Sequence, residues 1–283
     1  KHMNREQAER IRLARERLAG ADRVIIGGGA GLSAAAGLTY SGERFTQNFA
    51  DFIRKYGMTD MYSAGFYPFR TQEEKWAYWS RHIVCNRWDP PALPLYRALQ
   101  AFAAGRDCFV VTTNVDAQFE KAGFAPERVF AVQGDYGKLQ CARGCHDALY
   151  DDEALVREMA AAQKDCRIPS SLVPKCPVCG GEMEVNIRKD AFFVQDPAWY
   201  GAAARCDDFF GRAAKGKTVL LELGVGFNTP TIIRFPFERM AYRCPGVTLI
   251  RLNMSEPEGA PENAEKTLSF PEDMAGILPA LLA

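Results

Sequence analysis

The feature that most constrains this chain is the passage from "VII" at residues 24–26 into "GGGAGLSAAAGL". A short β-branched run that stops at consecutive glycines and resumes in small, helix-compatible residues reads as strand, loop, helix. Within it Gly29, Ala30, Gly31, Leu32, Ser33 and Ala34 fit G-x-G-x-x-A. The missing side chains let backbone amides close on a pyrophosphate at a helix N-terminus, where the dipole favours negative charge. A tight strand-to-helix turn with no ligand satisfies the same pattern. A dehydrogenase usually places an acidic residue about 20 positions further on, after a second strand. The nearest acids here, Glu43 and Asp51, follow no recognisable strand, which weighs against hydride transfer.

Four more apolar runs carry a strand signature: "CFVVTTNVD" (108–116), "RVFAV" (128–132), "TVLLELGVG" (218–226) and "VTLIRLN" (247–253). They are continuous rather than alternating, as strands covered on both faces are. Helical material separates them, so the expected fold is α/β with an open parallel sheet. Ahead of the first strand, Ala8, Ile11, Ala14 and Leu18 recur at helical spacing and Gly20 supplies a stop. Two segments break the alternation. Residues 46–104 crowd the aromatics of "FYPFR" and "KWAYWSRHIVCNRW" into a largely helical insertion, and 134–195 carries the paired cysteines.

Nine cysteines, four of them in two close pairs, suit a reduced compartment and a metal better than a disulfide framework. Cys141-x3-Cys145 and Cys176-x2-Cys179, the second within "CPVCGG", have the spacing of a four-thiolate structural zinc site. A closed tetrathiolate leaves no position for water, so this zinc would hold the module together and do no chemistry. The alternative has His146 or Cys166 standing in for one ligand. Cys85, Cys108, Cys206 and Cys244 read as ordinary buried cysteines. Lys+Arg 35 against Asp+Glu 35, scattered rather than blocked, speaks against wrapping nucleic acid or coating an anionic membrane. No apolar run approaches the roughly 20 residues of a spanning helix, and the first residues contain no apolar signal region. The expected location is the cytoplasm. Lys1 and His2, ahead of Met3, read as an expression remnant.

"TTNVDAQF" puts Asn114 and Asp116 at the end of a strand, the edge where open α/β sheets bind their ligands. Either residue also suits the N-cap of the segment "AQFEKAG". The next strand ends at Gln133, in "VFAVQGDYG", so two successive strand ends present amide and carboxylate groups toward one crevice. An amide does not titrate near neutral pH. Gln133 can therefore orient and hydrogen-bond, but it cannot act as a base.

In order and spacing, "GGGAGLSAAAGL", "TTNVD", the "QG" at 133–134, "CPVCGG", "LGVGFNTP" and "IRLN" resemble the sirtuins, the NAD-dependent deacylase family, over nearly the whole chain from about residue 19. The resemblance implies a Rossmann-like NAD-binding domain from residues 4–45, 105–133 and 196–283. It also implies a small domain made of a helical module (46–104) and a zinc-binding module (134–195), with NAD as substrate and structural zinc. Ala30, Gly31 and Ser33, in the loop opened by Gly29, would lie at the NAD phosphates. Asn114 and Asp116, preceded by Thr113, would face the nicotinamide and its ribose. Gly224, Val225, Asn253 and Met254 would line the adenosine side, and Tyr40 and Arg44 join the cofactor-binding set.

The chain departs from the family where the chemistry is decided. Sirtuins usually carry His-Gly where this chain has Gln133-Gly134, and that histidine relays a proton from the NAD ribose during deacylation. Apart from His2, only His82 and His146 remain, one in the helical insertion and one beside a zinc ligand. Thr113 stands in place of the usual Gln and Val225 in place of the usual Ser, and "GLTYSGERF" lacks the usual Pro-Asp-Phe-Arg order. A glutamine at the histidine position, with this loop, resembles the macrodomain-linked (class M) sirtuins of microbes. Those are protein ADP-ribosyltransferases whose described target is a lipoylated, H-protein-like carrier.

The chemistry is consistent with transfer. Breaking the nicotinamide–ribose bond leaves an oxocarbenium-like centre, which needs a held cofactor and a near nucleophile more than a base. Deacylation must also deprotonate a ribose hydroxyl, which calls for the histidine. The expected catalytic set is Asn114, Asp116, Gln133 and Arg188. Arg188, in "VNIRKDAFF", would hold an anionic acceptor or a phosphate, or else be a solvated surface arginine. Asp135 is a candidate substitute base, with a plain turn residue as the alternative. The expected function is therefore NAD-dependent transfer of ADP-ribose to a protein acceptor, with an acyl-lysine deacylase and a silent NAD sensor as the other readings.

Overall fold

Strands buried on both faces need helices above and below them, and this requirement sets the architecture. The computed structural model describes residues 3–283, so the expected expression remnant, Lys1 and His2, lies outside the described residues. The strands are β1 (Arg23–Gly28), β2 (Cys108–Thr112), β3 (Val129–Ala131), β4 (Gly134–Cys141), β5 (Tyr150–Asp151), β6 (Met183–Ile187), β7 (Thr218–Leu223), β8 (Val247–Leu252) and β9 (Thr267–Phe270). Six of them form one sheet in the order β3-β2-β1-β7-β8-β9, with every neighbouring pair parallel. Numbered within that sheet the order is 3-2-1-4-5-6, the doubly wound arrangement, and its switch point falls between β1 and β7. The four remaining apolar runs of the sequence become β2, β3, β7 and β8, each ending short of the run's last residues. The short edge strand β9, "TLSF", is an addition to the expected set.

The helices are α1 (Arg5–Gly20), α2 (Ala30–Ala36), α3 (Glu43–Asn48), α4 (Ala50–Tyr56), α5 (Met61–Ala64), α6 (Gln72–Ile83), α7 (Pro94–Ala103), α8 (Gln118–Lys121), α9 (Glu153–Ala162), α10 (Pro197–Ala213), α11 (Arg234–Arg243) and α12 (Met274–Leu282). Asn4 caps α1, its side chain accepting from the Gln7 N–H, and Ile11, Ala14 and Leu18 form the buried stripe. Helices α1, α2, α7 and α12 cover one face of the sheet, and α10 and α11 cover the other. The middle of the chain packs a separate core, in which Phe45, Phe49, Phe52, Trp76 and Tyr78 from α3, α4 and α6 meet β4, β6 and α9. The cysteine-bearing segment builds its own antiparallel sheet, β5-β4-β6, with a register irregularity between Gly134 and Leu139.

One charge pair breaks the apolar monotony of the central strands. Glu222 of β7 lies in register with Arg251 of β8, and both side chains are fully buried. The Arg251 guanidinium donates to both carboxylate oxygens of Glu222, to Glu238 Oε1 at 2.7 Å and to the Glu258 carbonyl at 3.1 Å. Such a pair offsets its desolvation only when every polar atom is engaged, and removing one partner strands a buried charge.

A second buried carboxylate is less well served. Asp152, fully buried ahead of α9, accepts from Trp88 Nε1 at 2.9 Å, and its Oδ2 has no partner. Burial pushes its carboxyl up to about 7, against the opposing pull of the Trp88 hydrogen bond. A folded value above the unfolded one means that the group costs stability as pH rises from the unfolded 3.8, with the full cost reached above about 7. Asp152→Asn should therefore match the wild type near pH 4 and melt at a higher temperature at pH 8. Parallel thermal melts across that range check the sign.

Candidate functional site

The site begins with a contact between two backbones. Where β1 ends, the Gly29 N–H donates to the Leu223 carbonyl at 2.9 Å and the Gly31 N–H donates to the Gly224 carbonyl at 3.0 Å. A Cβ on Gly29 would stand 2.4 Å from the Gly224 oxygen, and one on Gly31 would stand 2.8 Å from the Gly224 Cα. Gly224 itself has φ +64°, and a Cβ there would meet the Leu32 nitrogen at 2.4 Å. The glycine pattern is thus required by the docking of this loop on the end of β7, independently of any ligand.

Beyond that contact lies a cavity of about 860 Å³, between the carboxyl ends of the parallel strands and the small-domain core. It is lined by Gly29, Ala30, Gly31 and Ser33 from the glycine loop and α2, by Thr113, Asn114 and Asp116 after β2, and by Gln133 after β3. Gly224, Val225, Asn253 and Met254 line the β7 and β8 side, and Tyr40 and Arg188 complete the residues that the sequence singled out. Arg44 is placed otherwise. Its guanidinium donates to the carbonyls of Thr39 at 2.9 Å and Cys85 at 2.5 Å and to Asn86 Oδ1 at 2.9 Å, bracing the loop against the turn that follows α6.

A buried polar chain fixes the floor. Tyr96 of α7 hydrogen-bonds Ser33 Oγ at 2.5 Å, and Ser33 Oγ donates to Asp116 Oδ2 at 2.5 Å. Asn114 Nδ2 donates to the Gly29 carbonyl at 2.9 Å, tying the β2 end to the glycine loop. Asp116 Oδ1 also accepts from the Gln118 N–H at 3.1 Å, so this residue serves the start of α8 while facing the cavity. Burial raises the Asp116 carboxyl above its ordinary value, with the Ser33 hydrogen bond opposing. Tyr96 carries no sequence signal. It reaches the site only because α7 packs beside α2.

Gln133 sits where the two sheets meet. Its backbone carbonyl accepts from the Arg188 N–H at 2.9 Å, which joins the ends of β3 and β6. The following Gly134 has φ +105°, and a Cβ there would fall 2.0 Å from the Asn186 carbonyl, so glycine is compulsory. The Gln133 side-chain oxygen is buried and has no hydrogen-bond partner. An acceptor left in that state costs about 1–3 kcal/mol, which a donor on a bound molecule would return. Arg188 is exposed at the rim, its guanidinium 4.7 Å over the Phe193 ring. Asp135 points elsewhere: its Oδ1 accepts from Arg87 Nε at 2.9 Å and the Gly137 N–H at 2.7 Å, the work of a turn residue.

The structure also brings an imidazole to the cavity wall that the sequence had left in the helical insertion. His82 is fully buried, with Nδ1 at 2.9 Å from the Tyr78 hydroxyl and Nε2 at 2.9 Å from the Tyr136 hydroxyl. Burial, with a smaller push from Arg44, takes it down to about 3, so it stays neutral at physiological pH and takes up no proton there.

The four cysteines converge as the spacing requires. The Sγ atoms of Cys141, Cys145, Cys176 and Cys179 lie within 4.8 Å of one another, with Cys141 to Cys179 at 3.7 Å and Cys145 to Cys176 at 3.6 Å. Thiolates about 2.3 Å from a tetrahedral zinc are separated by roughly 3.8 Å, so the group fits structural zinc. His146 lies against the cluster, Nδ1 at 3.1 Å from Cys145 Sγ and Nε2 bonded to the Tyr150 hydroxyl at 2.7 Å. Cys166 is buried in the small-domain core outside the four-cysteine group.

A doubly wound parallel sheet with a glycine loop at its switch point is the frame of a dinucleotide-binding fold, and the four-cysteine module beside it fits structural zinc. Comparison with known proteins gives the family. Residues 29–221 match the Sir2 family, and the chain belongs to it. A Staphylococcus aureus relative named protein ADP-ribosyltransferase is 36% identical over 98% of this chain and 87% of its own. A Fusarium oxysporum relative, a probable bifunctional ADP-ribose hydrolase/ADP-ribosyltransferase, is 36% identical over 96% of this chain, which spans 47% of that longer protein. An NAD-dependent protein deacylase of Pseudomonas putida is 26% identical over 96% of this chain and 93% of its own. Among solved structures, a Sir2 homologue in complex with NAD superposes with a TM-score of 0.57 at 17% identity, covering 100% of this chain and 93% of that one, a likeness of fold. Sirtuins use NAD. Among the described residues no helix is long and apolar enough to cross a membrane.

Because a structural metal site contributes folding free energy directly, Cys176→Ser should lose most of its zinc and unfold at a lower temperature with a broader transition. Elemental analysis beside a thermal melt checks both, and zinc-free wild-type protein that is folded and stable would remove the site.

Proposed function

We propose that this chain is an NAD-dependent protein ADP-ribosyltransferase, transferring ADP-ribose from NAD to a protein acceptor with release of nicotinamide. The observation that carries the reading is Gln133: an amide, which cannot titrate, with a buried, unpartnered oxygen at the meeting of the two sheets on the cavity wall. His82 is held neutral by burial, and Asp135 is committed to Arg87 and its own turn. The names of the S. aureus and F. oxysporum relatives support the same chemistry.

NAD supplies the ADP-ribosyl group and a leaving nicotinamide. In the proposed site Ala30, Gly31 and Ser33 hold the phosphates, Asn114 and Asp116 orient the nicotinamide ribose, and Gly224, Val225, Asn253 and Met254 seat the adenosine half. The Gln133 oxygen accepts a hydrogen bond from a hydroxyl of the bound molecule, and Arg188 holds an anionic group of the acceptor at the rim. In the transfer the nicotinamide–ribose bond breaks and an acceptor–ribose bond forms with an electron pair from the acceptor. An ionised acceptor needs no base. The finer expectations belong to the same reading: residues 4–45, 105–133 and 196–283 as the cofactor domain, a macrodomain-linked kinship, a lipoylated carrier as acceptor, and a cytoplasmic setting. The P. putida relative keeps one competitor in view, acyl-lysine removal.

Incubation with labelled NAD and a lysate of the source organism should leave label on protein, while acetyl-lysine peptides are turned over poorly. Gln133→Ala should lower transfer by about a hundredfold, the scale of one well-placed hydrogen bond in such a site. Gln133→His restores a titratable group and should exchange transfer for some deacylation. Robust wild-type deacetylation without protein-bound label would overturn the transferase reading.

A further inference from the structure

The helical insertion carries a line of hydrogen bonds that runs from its core to the cavity. Tyr78, His82, Tyr136 and Tyr40 follow one another at 2.9, 2.9 and 2.5 Å, and Tyr40 lines the cavity. At the inner end the Tyr78 hydroxyl also lies 3.2 Å from the Met61 carbonyl, which already accepts the Gly65 N–H at 3.1 Å. We propose that Tyr40 is a hydrogen-bonding residue of the cofactor site whose polarity, donor or acceptor, is set through Tyr136 by the tautomer of His82. The proposal rests on the reading of the cavity as the NAD site.

Counting hydrogens leaves two complete arrangements. In the first, Tyr78 donates to His82 Nδ1, His82 Nε2–H donates to Tyr136, Tyr136 donates to Tyr40, and the Tyr40 O–H is free to donate into the cavity. In the second every bond is reversed: Tyr78 donates to the Met61 carbonyl and accepts from His82 Nδ1–H, Nε2 accepts from Tyr136, and Tyr136 accepts from Tyr40. Tyr40 then offers only lone pairs to the cavity. The Met61 carbonyl already takes the Gly65 N–H and an imidazole nitrogen is the stronger acceptor, so Tyr78 gives its hydrogen to the ring and the first arrangement holds at rest.

The line carries hydrogens and not charge. Burial takes His82 down to about 3 and pushes Tyr40 up to about 12, and it raises Tyr78 and Tyr136 as well. The groups facing the ring are Tyr78, Tyr136, Tyr40 and the Trp79 indole, with the Arg44 guanidinium as the cation that further disfavours imidazolium. The line ends at a carbonyl, so no net proton leaves by it. It lets one hydroxyl serve a phosphate or amide oxygen, which must be given a hydrogen, and equally a ribose hydroxyl that gives one, with no ion created in a dry wall.

The test reads His82 by two-bond nitrogen–proton correlation in protein labelled at histidine, where only His82 and His146 lie beyond the first two residues. Wild-type His82 should be a neutral Nε2–H tautomer that does not titrate between pH 5 and 8. In Tyr40→Phe the only remaining acceptor for the Tyr136 hydroxyl is the ring, so His82 should switch to Nδ1–H. Nicotinamide release should fall about tenfold in kcat/KM for NAD, the effect of one lost hydrogen bond. Tyr136→Phe should cost a similar factor, and the double variant should cost no more than either single. A His82 that titrates near its ordinary value, or keeps its tautomer in Tyr40→Phe, overturns the relay. A switch of tautomer with unchanged kcat/KM overturns the role of Tyr40 in the site. Wild-type protein that releases no nicotinamide would sink the functional reading alone, because the ring signals still decide the relay without NAD.

Discussion

The close approach of the glycine loop to the turn after β7 is the constraint on which the rest of the molecule depends. With no Cβ on Gly29, Gly31 or Gly224, two backbones meet at hydrogen-bonding distance and seal the switch point of the sheet from below. Everything above that seal becomes cavity. The Gly29 carbonyl, held at the seal, then receives the Asn114 amide, so the β2 end is positioned by the same contact. Ser33 follows one turn later and gathers Asp116 and Tyr96. A methyl group at any of the three glycines would move the wall that all of these side chains are built on.

How much of this was legible depends on whether the information was local. The parallel strands could be read because burial on both faces makes them continuously apolar, and the helix α1 because its apolar stripe and its stop are both local. The strand β9 was missed because "TLSF" is short, lies at an edge and buries only its last residue. Strand β4, "GDYGKLQC", mixes glycine with polar residues and breaks register, so nothing in its pattern announces a strand. The pair of Glu222 and Arg251 did leave a signal. Each is the fifth residue of an apolar run, and parallel strands in register bring equal positions together.

The site was legible to the extent that it hangs on strand ends. Asn114, Asp116 and Gln133 line the cavity as expected because a polar residue after a buried strand has one obvious place to go, whereas Thr113 was singled out only by the family resemblance. His82 and Tyr96 come from helices whose packing no local pattern records, and His82 meets Tyr136 only through the tertiary fold. Arg44 shows the converse. In sequence, an arginine in a loop after a glycine motif looks the same whether it grips a phosphate or its own neighbours, and here it holds the carbonyls of Thr39 and Cys85.

The zinc-module sheet has a consequence for how this fold can diversify. β4 begins at Gly134 and ends at Cys141 of the four-cysteine group, while β6 ends at Ile187, one residue short of Arg188. Arg188 is therefore referenced to the four-cysteine module and Gln133 to the seam between that module and β3, whereas the glycine loop, Asn114 and Asp116 are referenced to the parallel sheet. In the proposed function the seat of the dinucleotide is built on the parallel sheet, while the residue proposed to decide its fate stands at the seam between the two halves of the molecule. Gly134 is fixed by its backbone, but the position before it carries no such restriction, so under the proposed function one codon at the seam would redirect the reaction while the sheet and its seal are inherited unchanged.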